Sequence, residues 1–234
     1  MPPPPAPLGA AIFDMDGLLV DSEPYWRRVE AEVFSALGAD IRPYLGHGYT
    51  MGMRVDEAVA FLAAFAGLGE VDLVAVEADV VAGVVQAIGH EAELLPGVEV
   101  ALGLFEEAGL PRALASGSTP PVIDAVLDRF DLRRRFDGVF TAADDAYGKP
   151  HPAIFLRAAA ALGVPAEGCV VLEDSLNGCI AAKAARMRVI AVPHPDDAAD
   201  PRYSIADLNL TSLEELALPA VRARLGLEEV LQRR

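Results

Sequence analysis

Pairs of acidic side chains follow two short apolar runs of the sequence. Asp14 and Asp16 come after one run, and Glu173 and Asp174 come after another. Apolar runs of four residues fit buried strands of a parallel sheet better than helices. The carboxyl ends of parallel strands lie at one edge of the sheet, where ligands bind. We therefore expect the four carboxylates to converge there.

Carboxylates that converge repel one another unless a cation lies between them. Asp14 and Asp16 are two positions apart at a strand end, so their side chains point the same way, and Gly17 then allows a sharp turn. Oxygen ligands suit Mg²⁺, and the sequence has no Cys/His cluster that would suit zinc. The sequence predicts a Mg²⁺ site made by Asp14, Asp16, Glu173 and Asp174.

Two further strand ends carry groups that suit a phosphate. Ser116 and Gly117 follow an apolar run and precede a helical pattern, so a hydroxyl and free backbone N–H groups meet there. Lys149 lies between Gly148 and Pro150, just before another helical pattern. Each feature alone is ordinary loop chemistry, but a phosphate beside several carboxylates needs such a cation.

Apolar runs alternate with helical patterns along most of the chain. Strands are predicted at 10–13, 112–115, 138–141, 169–172 and 189–192, and helices at 98–108, 121–130, 152–162 and 177–185. Ser118 or Thr119 is expected to cap the second of these helices. The alternation predicts an α/β fold with a Rossmann-like parallel sheet covered by helices on both faces.

One segment, residues 24–93, has no convincing buried strand. Its apolar spacing is helical at 25–37, 56–66 and 71–88. We expect a Pro-rich tail at 1–7, an α/β core at 8–23 and 94–234, and a helical cap inserted at 24–93.

Composition excludes several classes of partner. The 234 residues include 35 acidic and 19 Lys+Arg side chains, a formal net charge of −16, which argues against nucleic acid and anionic membrane surfaces. Cys169 and Cys179 make no disulfide framework. We find no long apolar run and no signal-peptide pattern, so we expect a cytoplasmic protein with no membrane span. A monomer is the default expectation.

The whole set of motifs resembles the haloacid dehalogenase superfamily, and the resemblance extends from Ala10 to about Leu216. The residues that carry it are Asp14-Met-Asp16-Gly, Ser116, Lys149 and Glu173-Asp174. The helical insert resembles the type-1 cap of the phosphatase and mutase branch. The sequences at 11–24 and 172–178 are similar to those of the hexitol phosphatase, or 2-deoxyglucose-6-phosphate phosphatase, group.

This resemblance implies a two-step phosphoryl transfer on a small sugar or sugar-alcohol phosphate. Asp14 is implied as the nucleophile that becomes an aspartyl-phosphate, and Asp16 as the general acid and base. Mg²⁺ is implied to bind the Asp14 carboxylate, the Asp16 backbone carbonyl and Asp174, with Glu173 acting through a water or a neighbouring ligand.

The resemblance also implies which residues bind the substrate. Ser116, the Gly117 amide and Lys149 are implied to hold the phosphoryl oxygens. Asn177 is a further candidate contact. In the cap, Gly52-Met53-Arg54 resembles a substrate-specificity loop, and Arg54 is a candidate partner for a sugar hydroxyl or a phosphate.

Three alternatives are open at this stage. In the β-phosphoglucomutase branch a histidine lies twelve residues after the nucleophile, whereas this chain has Trp26, which favours a phosphatase. Dehalogenases lack the second acid of the first motif, and Asp16 is present here. A phospho-acceptor domain of the receiver type uses similar groups, but it is about half this length and has no large insert.

Overall fold

A six-stranded parallel sheet forms the centre of the protein. The structure, a computed structural model, describes residues 6–45, 50 and 53–227. In these residues the strand order is β3-β2-β1-β4-β5-β6. The strands are β1 Ala10–Phe13, β2 Arg112–Ser116, β3 Gly138–Thr141, β4 Cys169–Glu173, β5 Arg188–Ala191 and β6 Leu208–Asn209.

Helices cover both faces of this sheet. They are α1 Glu23–Ala36, α2 Val55–Phe65, α3 Leu73–Glu91, α4 Val98–Glu107, α5 Pro120–Arg129, α6 Ala153–Leu162, α7 Leu176–Ala184 and α8 Pro219–Leu225. Ala11 and Phe13 of β1 belong to the same core cluster as α4 and α5. Ala10 and Ile12 belong to a second cluster with α6 and α7. Because successive strand side chains point to opposite faces, β1 is buried on both sides, which confirms the α/β prediction.

All five predicted strands are present, each within one residue of its expected ends. The sixth strand, β6, was not predicted. It has two residues, Leu208 and Asn209, and pairs with β5 through Ile190 and Ala191. A strand of two residues is too short to show a periodic pattern.

Three α-helices lie between β1 and α4 in the described part of the chain. The chain leaves the core after Val20 and returns at Leu94, and these two residues form an antiparallel bridge. The Leu95 N–H donates to the Leu19 carbonyl at 2.9 Å. The two connections of the helical segment therefore run side by side, as an insertion requires; the division into core and cap stays a prediction.

One helix departs from the expectation that no segment is long and apolar enough to cross a membrane. By length and composition alone, α3 meets that criterion among the described residues. Core helices of globular proteins meet it too, and Val76, Val80, Val84, Ala87 and Ile88 of α3 are buried in this fold. We draw no membrane role from α3.

Candidate active site

Adjacent strands bring three of the predicted residues to one edge of the sheet. Phe13 of β1 lies opposite Leu172 of β4, and the Asp14 N–H donates to the Leu172 carbonyl at 3.0 Å. Ser116 is the last residue of β2 and Glu173 the last residue of β4. The strand order places β1 between β2 and β4, so Asp14 lies between these two strand ends.

Lys149 comes to the same point from the loop before α6. Its Nζ lies 2.5 Å from Asp14 Oδ1 and 2.5 Å from Glu173 Oε1, and it donates to the Ala115 carbonyl at 3.1 Å. The residue is 2% exposed. Burial disfavours its charged form, but Asp14 and Glu173 outweigh burial and raise the pKa of Lys149. The buried ammonium therefore stays protonated between two carboxylates.

Asp14, Glu173 and Asp174 form a buried carboxylate cluster. Each offers one oxygen, and these oxygens lie within 4.8 Å of one another. Burial raises the pKa of Asp14 to about 8; Lys149 opposes this shift, while Glu173 and Asp16 add to it. Burial, with Glu173 and Asp14, also raises the pKa of Asp174. Both groups resist ionisation by themselves, so a bound cation would stabilise the carboxylates strongly.

Two glycines make room for these acids. Gly17 has φ +77°, and a Cβ there would lie 2.0 Å from Asp174 Oδ2. A Cβ on Gly178 would lie 1.8 Å from Glu173 Oε1. The main chain after Asp16 thus runs directly against the Asp174 carboxylate. An all-oxygen donor set packed this closely fits a hard divalent cation.

The Asp16 side chain lies outside the carboxylate cluster, among hydroxyl and indole donors. Ser22 Oγ and Trp26 Nε1 donate to Oδ1 at 2.7 and 3.2 Å. Ser116 Oγ and Ser118 Oγ donate to Oδ2 at 3.1 and 2.8 Å. The two acids of the first motif therefore have different surroundings: Asp14 faces an ammonium and other acids, and Asp16 is held by four neutral donors.

Sequence reasoning missed several of these partners. Trp26 was considered as the residue in the place of a histidine, but it donates a hydrogen bond to Asp16. Ser118 was a candidate helix cap, but α5 is capped by Thr119 with no side-chain hydrogen bond. The available signal was the spacing of Ser22 and Trp26, four residues apart at the start of α1, which puts them on one helix face.

Hydrogen bonds from Ser175 and Tyr203 fix the end of β4. The Ser175 N–H and Oγ donate to Glu173 Oε2 at 3.0 and 2.9 Å, and Ser175 Oγ accepts from the Gly178 N–H at 3.0 Å, capping α7. The buried Tyr203 hydroxyl donates to the Asp174 carbonyl at 2.7 Å. The Ser175 bonds orient the Glu173 carboxylate, and the Tyr203 bond holds the main chain at Asp174. Tyr203 lies too far along the sequence for any local pattern to indicate it.

Arg54 lies at the contact between α2 and the loop that carries Lys149. Its guanidinium binds the Asp56 carboxylate and donates to the Asp145 carbonyl at 2.6 Å. Nearby, the Gly148 N–H donates to Glu57 Oε1 at 3.4 Å. The guanidinium is thus engaged by protein groups, and a role in substrate binding stays a prediction.

Two of the remaining predicted contacts follow strand ends. Gly117 directly follows β2, and Asn177 lies half-buried in the first turn of α7. Gly52, in the predicted specificity loop, lies outside the described residues, as do residues 1–5 of the expected tail.

Known proteins share this sequence pattern and this fold. The family model of haloacid dehalogenase-like hydrolases matches residues 8–186. Hexitol phosphatase B of Escherichia coli is 46% identical over 207 residues, covering 88% of this chain and 93% of that protein.

Solved structures agree with the fold. CbbY from Rhodobacter sphaeroides, in complex with phosphate, has a TM-score of 0.80 and 29% identity over 94% of this chain and 99% of that one. β-Phosphoglucomutase from Clostridium difficile has a TM-score of 0.81 and 23% identity over 95% of this chain and 99% of that one. The second likeness concerns the fold alone. Given the match of the family model over most of its length, this chain belongs to the haloacid dehalogenase-like hydrolases.

Proposed function

We propose that this chain hydrolyses phosphate monoesters of small sugars or sugar alcohols through an aspartyl-phosphate on Asp14. The observation that carries the proposal is the buried Lys149 ammonium, 2.5 Å from Asp14 Oδ1, beside a hydrogen-bonded Asp16. The likeness to a hexitol phosphatase over 88% of the chain supports this substrate class.

In the first step, an Asp14 oxygen attacks phosphorus and the bond from phosphorus to the sugar oxygen breaks. Asp16 gives its proton to that leaving oxygen, so the sugar departs as a neutral alcohol. Lys149 offsets negative charge on the phosphoryl group, while the Ser116 hydroxyl and the Gly117 amide donate hydrogen bonds to its oxygens. Asp16 faces Ser116 and Ser118, so its oxygens already lie on the side of this phosphate site.

In the second step, Asp16 removes a proton from a water that attacks the aspartyl-phosphate. The bond between phosphorus and Asp14 breaks, and inorganic phosphate and the free Asp14 carboxylate form. One residue thus serves as acid and then as base. Its four donors hold its carboxylate in place between the steps, while the hydroxyl donors are free to turn and accept.

We propose Mg²⁺ as the metal. Asp14, Asp174 and the Asp16 carbonyl would hold it, and Glu173, which is paired with Lys149, would act on this site indirectly. When bound, Mg²⁺ supplies positive charge that offsets the repulsion between a carboxylate nucleophile and a phosphate dianion.

Residues 24–93 are proposed to act as a cap that closes over the sheet edge and excludes water from it. Asn177 and Arg54 are proposed as further substrate contacts. A cytoplasmic, monomeric protein with no nucleic-acid or membrane partner remains our proposal, in keeping with a net charge of −16.

The test is phosphate release from a panel of sugar and sugar-alcohol phosphates with Mg²⁺, compared as kcat/KM. We expect hexitol or deoxyhexose phosphates to rank highest and inorganic phosphate to accumulate. Sugar phosphate that is isomerised without phosphate release would instead favour the phosphomutase alternative. Long-lived aspartyl-phosphate with no preferred substrate would favour a phospho-acceptor.

A further inference from the structure

Glu30 is a buried acid in the middle of α1. It is 6% exposed. Within the part of the chain that the structure describes, its carboxyl has no hydrogen bond and no ion pair; Glu23 and Arg27 are its nearest charged groups. Burying an unpaired carboxyl costs free energy, and burial raises the pKa of Glu30 to about 8. The fold itself offers this group no compensating contact.

The carboxyl of Glu30 keeps a small exposure to solvent. Among the described residues, three side-chain nitrogen or oxygen atoms are fully buried and have no hydrogen-bond partner. They are Thr119 Oγ1, Arg157 Nε and Arg188 Nε. The oxygens of Glu30 are not among them. The small exposed fraction of this residue therefore includes its polar end, where a ligand hydroxyl can reach it.

The face of α1 that carries Glu30 also carries Trp26, which contacts Asp16 at the sheet edge. Glu23, Trp26 and Glu30 follow one another at helical spacing and share that face. Trp26 donates to Asp16, and Glu23, after burial and the nearer acids, adds to the raised pKa of Asp174. Glu30 lies one turn beyond Trp26, about 6 Å further along the helix axis. That distance is comparable with the length of an extended sugar-alcohol chain.

We propose that Glu30 binds hydroxyl groups on the carbon chain of the substrate and thereby favours polyol monophosphates over simple alkyl phosphates. The proposal rests on the proposed function, since it assumes that the phosphate occupies the Asp14 site. A hydroxyl donates to the carboxyl and satisfies a group that is otherwise unpaired, so substrates without that hydroxyl lose affinity.

The test compares Glu30→Leu, Glu30→Gln and a control, Glu32→Leu, an exposed acid on the same helix. The substrates are sorbitol 6-phosphate and ethyl phosphate. For Glu30→Leu we expect the kcat/KM ratio of sorbitol 6-phosphate to ethyl phosphate to fall about tenfold or more. Glu30→Gln should keep part of the ratio because an amide also accepts and donates.

In Glu32→Leu this ratio should stay at the wild-type value. Thermal unfolding checks the fold of each variant, and Glu30→Gln keeps the test decisive if Glu30→Leu does not fold. An active wild-type protein with the ratio unchanged in the Glu30 variants would overturn this inference alone. A wild-type protein that releases phosphate from neither ester would overturn the proposed function as well.

Discussion

Two acids of one motif, Asp14 and Asp16, acquire different chemistry from their neighbours. Asp14 lies buried among other acids, so burial and repulsion raise its pKa to about 8, although the neighbouring Lys149 ammonium opposes this shift. Asp16 is surrounded by four neutral donors. The nucleophile is therefore the group that depends on nearby positive charge, and the acid–base group is the one that depends on hydrogen-bond geometry.

Asp14→Asn should abolish turnover and preserve the fold. The amide keeps the shape of the side chain but cannot form the phosphoryl bond, so we expect kcat to fall by a factor of about a thousand or more. Phosphate release measures this, and circular dichroism checks the fold. A folded variant that retains a large part of its turnover would show that another group attacks phosphorus.

Trp26→Phe should slow the enzyme most on substrates with poor leaving groups. The change keeps an aromatic ring but removes the indole N–H, which donates to Asp16 Oδ1 at 3.2 Å. Losing it should lower kcat/KM for ethyl phosphate about fivefold, from the typical energy of one hydrogen bond.

For p-nitrophenyl phosphate, whose leaving group needs no proton, the Trp26→Phe effect should be smaller. Tyr25→Phe, one residue earlier on α1, is the matched control. Equal losses on both esters would mean that Trp26 has only a packing role.

Sequence reasoning identifies residues at strand ends better than residues that act from a distance. Asp14, Ser116 and Glu173 follow buried apolar runs, whose period marks where each strand stops. Tyr203 binds the Asp174 carbonyl from a 3₁₀ helix that carries no such mark. Its contact depends on the tertiary path of the chain.

At the scale of elements, the helices of several turns and the strands of four or five residues were predictable, and the two-residue strand was not. The helices have several turns of apolar spacing, which fixes their existence though not their exact ends. The two-residue strand β6 forms because Ile190 and Ala191 on β5 provide backbone partners. The strand conformation of Leu208 and Asn209 therefore depends on the neighbouring backbone of β5 and not on a local sequence pattern.

The contact of α2 with the Lys149 loop gives a prediction for Arg54. Arg54→Ala removes the bond to the Asp145 carbonyl, which holds α2 against that loop. We expect KM to rise about tenfold, because a hydrogen bond from a charged group is lost. Arg42→Ala, which removes an exposed arginine paired with Asp40, is the control. A KM equal to that of the control would leave Arg54 with neither a positioning nor a binding role.

Glu30 gives α1 a pH-dependent stability. Folding raises the pKa of Glu30 from 4.5 to about 8, so between these values the folded protein keeps a proton that the unfolded chain releases. Its contribution to the free energy of unfolding therefore falls as pH rises through that window, by at most about 1.4 kcal/mol per unit.

Glu30→Gln cannot titrate, so its Tm should decline less than that of the wild-type protein between pH 5.5 and 8, a range set by this shift. Denaturant unfolding at several pH values measures the same difference. Parallel curves for the two proteins would contradict the raised pKa.

At the scale of the whole molecule, the excess of acid has one local consequence. The net charge is −16, yet three of the acids lie buried within 4.8 Å at one sheet edge. Removal of the metal with EDTA should abolish activity and lower Tm, and excess Mg²⁺ should restore both.

Asp174→Asn should reduce the stabilisation by Mg²⁺, whereas Asp196→Asn, an exposed acid elsewhere, should not. A Tm that changes with neither EDTA nor Mg²⁺ would contradict the proposed metal site. Calcium, which prefers more ligands at longer distances, should stabilise the fold less.

The parallel pairing of β1 with β4 also bears on how the chain reaches its folded state. Ala10 lies opposite Cys169, so the central pair of strands joins distant parts of the chain, with the whole helical insert between them. Contacts of such long sequence separation make folding slow, because a long loop must close, at a cost in chain entropy, before the two strands can pair. Asp14 meets Glu173 and Lys149 only after this pairing. Catalytic activity should thus be the last property to return on refolding, later than helix content.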